Sequence, residues 1–502
     1  MRNTLVIAMI VALAAPLPTR AQEAAPKTLA QLTPEIDAIF AKFQADAHVP
    51  GMVYGIVKDG KLAYVKGIGV QNLQDKRPVD ADSLFRIASM TKAFTALSIL
   101  HLRDQGKLRL DDLAEQYVPE MKAWTYPTTD SPRIRVRDLL HHVGGLVTDD
   151  PWGDRQQVLP QEDFTKMIAA GVPFSRAPQS QHEYSNFGYA LLGRIVANAS
   201  GMAYTDYVGQ TILTPLGMTS SGYDAVNAPK AHYARGYRWE NDAWAAEPEM
   251  VDGAFNSMGG LQVSANDYAK WVAFLLSAWP ARNDADDGPI KRATVREIAQ
   301  GLNFTSVQNR TGASGADACK LSGAYGMGWR VAQDCDLGLT LAHGGGYPGY
   351  GSHVMLMPDR GVGVFALANR TYAGPSAPAW DTAVAMDKAG LLAWRDTPVS
   401  PAVAEMFAAT RTAYAAGSLK PLDGKLAMNF LLDRSAENWT AELAKLKAQL
   451  GACPTAEPLA PTGAMSSAFR LNCEKGHLDG NLLLAPTNPV TIQAWRLRAV
   501  AD

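Results

Sequence analysis

Phe85-Arg86-Ile87-Ala88-Ser89-Met90-Thr91-Lys92 is the stretch on which the reading of this chain turns. Leu84 to Ala88 reads as extended. From Ser89 the pattern becomes helical, with Phe94, Leu97 and Leu100 recurring three apart and Gly106 placed to cap the end. Ser89 therefore falls near a helix N-terminus, and Lys92, three residues on, shares its face. A serine hydroxyl is a poor nucleophile, and a desolvated neutral lysine beside it can accept its proton. Ser89/Lys92 is the only Ser-x-x-Lys pair in the sequence. One such match is expected by chance, so the pair needs company.

Two further motifs supply it. Tyr184-Ser185-Asn186 is the only Tyr-x-Asn in the chain, and a helical run follows it. A tyrosine near a lysine can relay a proton, and an asparagine amide can hold a substrate carbonyl. Alone, it would read as an N-cap turn with a packed tyrosine. His343-Gly344-Gly345-Gly346 ends a strand-like run. Its glycines let a substrate backbone lie alongside, and the Gly346 amide is a candidate oxyanion donor. Gly344 to Gly349 also fits a dinucleotide-binding glycine pattern, but Pro348 and the strand that follows argue against it.

The 502 residues are 47% apolar and 19% charged with a formal net charge of −2, which excludes a disordered chain and any electrostatic footprint for nucleic acid. Arg2, the apolar run Leu5 to Ala15 and the small residue Ala21 read as a secretory signal peptide over 1–21, too short to span a bilayer. The protein is thus expected in the periplasm or outside the cell, without a stable membrane anchor. An oxidising compartment permits disulfides, and the local pairs Cys319–Cys335 and Cys453–Cys473 are the expected ones, free buried thiols being the alternative. His141-His142 lacks the third ligand or HExxH context of a metal site and reads as packing or capping. Asp149-Asp150 reads as a solvated turn. No metal or cofactor is expected.

Strand-like runs at Gly51 to Lys58 and Lys61 to Gly69, joined by Asp59-Gly60, follow a helical segment from Pro34 to Ala45. A helix- and loop-rich stretch from Leu110 to Trp279 comes next. Strands return at 328–332, 337–343, 352–357 and 361–369. This order builds one sheet from both ends of the segment, with the helical lobe as an insertion. Beyond Pro401, helices at 404–415 and 436–450 and strands at 468–471, 478–484 and 491–497 make a small α+β module, with 420–424 and the Pro-rich 455–463 as its loops.

Ser-x-x-Lys, Tyr-x-Asn and a Gly-rich strand end, in that order, resemble the serine β-lactamase and penicillin-binding-protein superfamily. The class C β-lactamase-like branch, with its D-aminopeptidases, D,D-carboxypeptidases and esterases, is most similar. Supporting stretches are Leu139 to Leu146, Gly259-Gly260-Leu261, Tyr325 to Trp329 and Ala368-Asn369-Arg370. The resemblance covers about Ile36 to Gly390. It implies an α+β fold, an α/β sandwich whose antiparallel sheet is flanked by helices, with the all-helical lobe inserted. The expected division is 22–395 for the hydrolase domain and 401–502 for the C-terminal module.

The resemblance also assigns roles. Ser89 is the acylated nucleophile, Lys92 its base and Tyr184 the proton shuttle. Asn186, His343, Gly344 and Gly345 bind substrate, and the Ser89 and Gly346 amides form the oxyanion hole. His343 stands where β-lactamases and D,D-peptidases carry a carboxylate-binding lysine. That departure points to a small ester, amide or short D-residue peptide as substrate rather than to a penicillin. The alternatives are a β-lactamase or D,D-carboxypeptidase, and a catalytically idle peptidoglycan- or partner-binding protein.

Overall fold

The computed structural model describes residues 27–309, 320–395 and 398–500. The segment read as a signal peptide lies outside them, and among the described residues no helix is long and apolar enough to cross a membrane. Helix α1 spans Leu29–Asp46, starting a turn and a half before the expected Pro34 because Thr28 and Gln31 form a capping box. Pro34 is tolerated inside it: the Thr33 hydroxyl donates to Ala30 O at 2.9 Å, satisfying the carbonyl that the missing Pro N–H leaves free.

The main sheet has eight antiparallel strands: β1 (Gly51–Lys58), β2 (Lys61–Gly69), β3 (Asn303–Asn309), β4 (Lys320–Tyr325), β5 (Arg330–Asp334), β6 (Gly338–Tyr347), β7 (Tyr350–Met357) and β8 (Val362–Ala368). Their order is β2-β1-β8-β7-β6-β5-β4-β3, and β1 pairs with β8 in the register Met52↔Ala368 to Lys58↔Val362. The sheet is therefore built from both ends of the segment, as expected. Asp59 and Gly60 both have positive φ, the geometry of a tight hairpin between β1 and β2.

Strands β3 and β4 were not expected. They form the far edge, where Phe304 is 67% exposed, so little burial imposes a legible alternation there. Cys319 lies outside the described residues, and with it the Cys319–Cys335 expectation.

Helix α2 (Lys92–Asp104), helix α3 (Asn186–Ser200) and helix α4 (Ala265–Leu276) belong to the face that carries the inserted lobe. On the opposite face α1 and α5 (Ser376–Lys388) cover Met52, Tyr54, Met355 and Val364. The two cores, one on each side of the sheet, make the layered α+β sandwich.

The C-terminal part has a core of its own, built on α6 (Pro401–Ala416), α7 (Ala436–Leu450) and strands β9 (Ser466–Cys473), β10 (Gly476–Ala485) and β11 (Thr491–Val500). Cys453 and Cys473 are bonded. The segment 455–463 departs from the expected loop: Thr455–Ala456 and Ala460–Gly463 pair with β9. These are short edge strands, where a proline costs no ladder hydrogen bond.

Candidate active site

The extended segment ends as strand Phe85–Arg86, which pairs with Gln262–Val263 and delivers the chain to a tight turn over Ala88–Thr91. Ala88 takes φ +48°, left-handed for a residue with a side chain, and this bend places Ser89 just ahead of α2. The turn is held from outside. Ile87 N donates to Leu261 O at 2.9 Å, and Leu261 N donates to Thr91 Oγ1 at 3.2 Å. Strand β6 presses on it too: a β-carbon on Gly345 would come 2.2 Å from Ile87 O and 2.1 Å from Ser352 Oγ, so only glycine fits there.

Lys92 is fully buried. Its Nζ lies 3.0 Å from Ser89 Oγ, 2.7 Å from Asn186 Oδ1 and 2.8 Å from Met258 O. A neutral amine has two N–H groups and one lone pair. Asn186 Oδ1 and Met258 O are pure acceptors and take the two hydrogens, which aims the lone pair at the Ser89 hydroxyl. Burial pushes the Lys92 ammonium down to about 8, against the opposing charges of Asp150, Asp154 and Asp149. The neutral base is thus accessible near physiological pH.

Tyr184 approaches from the other side, its ring 4.9 Å from Lys92 Nζ. Burial, and then Tyr325, push its phenol well above the usual value, while a hydrogen bond with Ser89 pulls the other way. Asn186 opens α3. Its Nδ2 donates to Asp150 Oδ1, so the side chain joins Lys92 to the loop before the lobe helix. His142, whose ring centre lies 4.4 Å from that of Tyr184, accepts from Ser185 N at 3.1 Å and packs beneath the motif. His141 meets Tyr325 O through Nδ1 at 3.2 Å. Both histidines do structural work, as the sequence suggested.

His343 completes the wall, its ring centre 6.2 Å from that of Tyr184. Its Nε2 lies 3.0 Å from the Tyr325 hydroxyl and its Nδ1 lies 2.7 Å from Gly344 O. Burial, with Lys92 and Arg330 adding repulsion, pushes it down to about 3, so it is a neutral imidazole. Gly344 pairs with His353 and Gly346 with Gly351 on β7. Strand β5 covers β6 only over residues 338–342, leaving the outer edge of 343–347 without a ladder partner among the described residues. The three motifs therefore meet around one groove along that edge.

The expectation of a solvated turn at Asp149-Asp150 holds for Asp150, which is exposed, and is corrected for Asp149. Asp149 is 6% exposed and accepts from Asn186 N at 2.7 Å and Phe187 N at 2.8 Å, capping α3. A helix start leaves N–H groups without partners, and a carboxylate satisfies them and complements the dipole. Asp154 is also buried, and burial plus Asp150 push it up to about 7. Nothing in local spacing ties these aspartates to a motif some 35 residues downstream. The Met258 carbonyl was missed for the same reason, and Tyr325, quoted only as part of a supporting stretch, was given no role beside His343.

The chain belongs to the β-lactamase family: the family model described as Beta-lactamase matches residues 36–387. It carries the serine β-lactamase and penicillin-binding-protein-like fold. Among curated proteins it is 29% identical over 344 residues to Protein flp of Staphylococcus aureus (strain COL), across 67% of this chain and 62% of that protein. It is 34% identical over 268 residues to Beta-lactamase-like protein 2 of Dictyostelium discoideum, across 50% of this chain and 47% of that one. The chain thus spans less than two thirds of the length of either relative. A solved structure, the octameric penicillin-binding protein homologue from Pyrococcus abyssi, superposes with a TM-score of 0.59 at 21% identity, covering 93% of this chain and 99% of that one. At that identity the likeness speaks for the fold.

Proposed function

We propose that the protein is an exported serine hydrolase that cleaves small esters or amides, N-terminal D-residues included, through an acyl-enzyme on Ser89. The observation that carries this is the Lys92 amine, stripped of water, with its two hydrogens taken by Asn186 Oδ1 and Met258 O and its lone pair facing Ser89 Oγ at 3.0 Å. Lys92 takes the Ser89 proton as Oγ attacks the carbonyl carbon. The Ser89 and Gly346 amides receive the developing oxyanion. Tyr184 gives its phenol proton to the leaving group and is reprotonated by the Lys92 ammonium; in the second half it takes a proton from the attacking water as it passes its own back to Lys92. Asn186 can turn its Nδ2 from Asp150 to the substrate amide. A binding protein without catalysis has no need to bury a lysine beside a serine.

The substrate preference rests on His343. A neutral imidazole gives no charge-assisted bond to a carboxylate next to the scissile bond, an interaction worth about 1.5–3 kcal/mol. Neutral esters and amides lose nothing by its absence. The test compares kcat/KM for a p-nitrophenyl ester, a D-alanine anilide and a cephalosporin. Turnover fastest for the ester or anilide supports the reading, and fastest for the cephalosporin overturns it.

One observation favours the β-lactamase or D,D-peptidase alternative. Arg330 is exposed, and its charge acts on His343, Tyr325 and His182. In that alternative it stands in for the absent lysine. Under that alternative Arg330→Ala lowers cephalosporin turnover while leaving the neutral ester unchanged.

A further inference from the structure

Three observations converge on Tyr372, in the loop after β8. Its ring lies against Gly346: a β-carbon built there would come 2.7 Å from Tyr372 Cδ1. Its hydroxyl donates to Asp154 Oδ2 at 3.0 Å. Its backbone sits at φ +55°, a region a bulky residue holds only where its surroundings impose it, and such outliers collect at functional sites.

The surroundings do impose it. Tyr372 N donates to Tyr350 O at 3.1 Å and Gly374 N to Tyr372 O at 3.0 Å. Neighbouring Thr371 donates through its hydroxyl to Tyr237 O at 3.1 Å and accepts from Gly349 N at 2.7 Å. Asn369, fully buried, accepts from Gly51 N at 2.7 Å.

Asp154 comes from the opposite wall, on the short helix Trp152–Arg155 of the lobe. That helix is packed on the site itself, since a β-carbon on Gly153 would lie 2.8 Å from Asn186 Cβ. The Tyr372–Asp154 bond therefore joins the sheet to the lobe across the groove. It does so at the Gly346–Tyr347 end, where the charge of Asp154 also reaches Tyr347. Tyr184 stands at the other end, beside His343. A leaving group protonated by Tyr184 lies toward His343, so the acyl group runs past Gly346 toward Tyr372.

We propose that Tyr372 is a specificity-determining residue: its ring, tethered to Asp154, closes the acyl end of the groove and limits the length of acyl group that Ser89 accepts. This rests on the acyl-enzyme reading above and adds the substrate's size to it.

The test compares p-nitrophenyl acetate with p-nitrophenyl octanoate in wild type, Tyr372→Phe and Tyr372→Ala, each checked by thermal melting. The two esters share a leaving group, so their kcat/KM ratio reports the acyl side alone. The wild type is expected to prefer acetate. Tyr372→Ala should raise octanoate relative to acetate about tenfold or more, chiefly through a lower KM for octanoate. Tyr372→Phe, which keeps the ring and loses the tether, should raise it by a smaller factor. A ratio unchanged in both folded variants overturns the proposal alone. Failure of every protein to hydrolyse either ester overturns the acyl-enzyme reading, and this proposal with it.

Discussion

Acidifying the enzyme from about pH 8 to about pH 6 should slow acylation of Ser89 as the Lys92 amine takes up a proton. Burial holds the Lys92 ammonium at about 8 rather than at the usual 10.5. The neutral base is then about half the population at pH 8, about one tenth at pH 7 and about one hundredth at pH 6. The burst of p-nitrophenol from a p-nitrophenyl ester, followed from about pH 5.5 to 9.5, should fall about tenfold per unit below 8 and level off above about 9. His343, at about 3, and Tyr184, pushed well above its usual value, titrate outside that window. Asp154, at about 7, titrates inside it, so Asp154→Asn is the control. Its charge holds the lysine up, so removing it should move the limb to lower pH without erasing it. Lys92→Ala should lower the plateau by about 10²–10⁴-fold and abolish the limb. A flat wild-type profile, or the same limb in Lys92→Ala, refutes the assignment.

Tyr184→Phe keeps the ring beside Lys92 and removes the proton relay. It should cut turnover of an amide by about 10²–10⁴-fold and that of an activated ester by less, because p-nitrophenolate leaves without a proton. Asp154→Asn should raise thermal stability increasingly with pH. The carboxyl is held at about 7 when folded against 3.8 ordinarily, so the wild type loses stability as pH rises from about 4 to 7, and the asparagine does not. The gap in melting temperature should therefore be small near pH 4 and largest above about pH 8. His343→Lys should raise cephalosporin kcat/KM relative to a neutral ester by about tenfold to a hundredfold, the worth of one charge-assisted hydrogen bond. No gain would locate carboxylate recognition elsewhere, with Arg330 the first residue to remove.

What was legible in the sequence follows from where each residue acts. Ser89 and Lys92 are one helical turn apart, and the 3.0 Å between them follows from that spacing. Strands β1, β2, β6, β7 and β8 pack on one or both faces and so carry a readable apolar pattern. Strand β3 lies at the sheet edge with Phe304 and Val307 exposed, and nothing there forces one. The other half of the site is set by tertiary contacts. Asp149 caps a helix that begins 37 residues later, Met258 supplies only a carbonyl, and Tyr372 reaches Asp154 from 218 residues away. Residue type identifies none of these roles until the chain is folded.

Ser89, activated by Lys92, is expected to form a covalent acyl-type adduct. Incubation of the folded protein with a fluorophosphonate at about pH 8, followed by intact-mass and peptide mass spectrometry, tests it most directly. One adduct per chain is expected, on the peptide bearing Ser89, absent from Ser89→Ala and slowed about 10²–10⁴-fold in Lys92→Ala. An adduct on a different residue, or equal labelling of Ser89→Ala, would contradict the account.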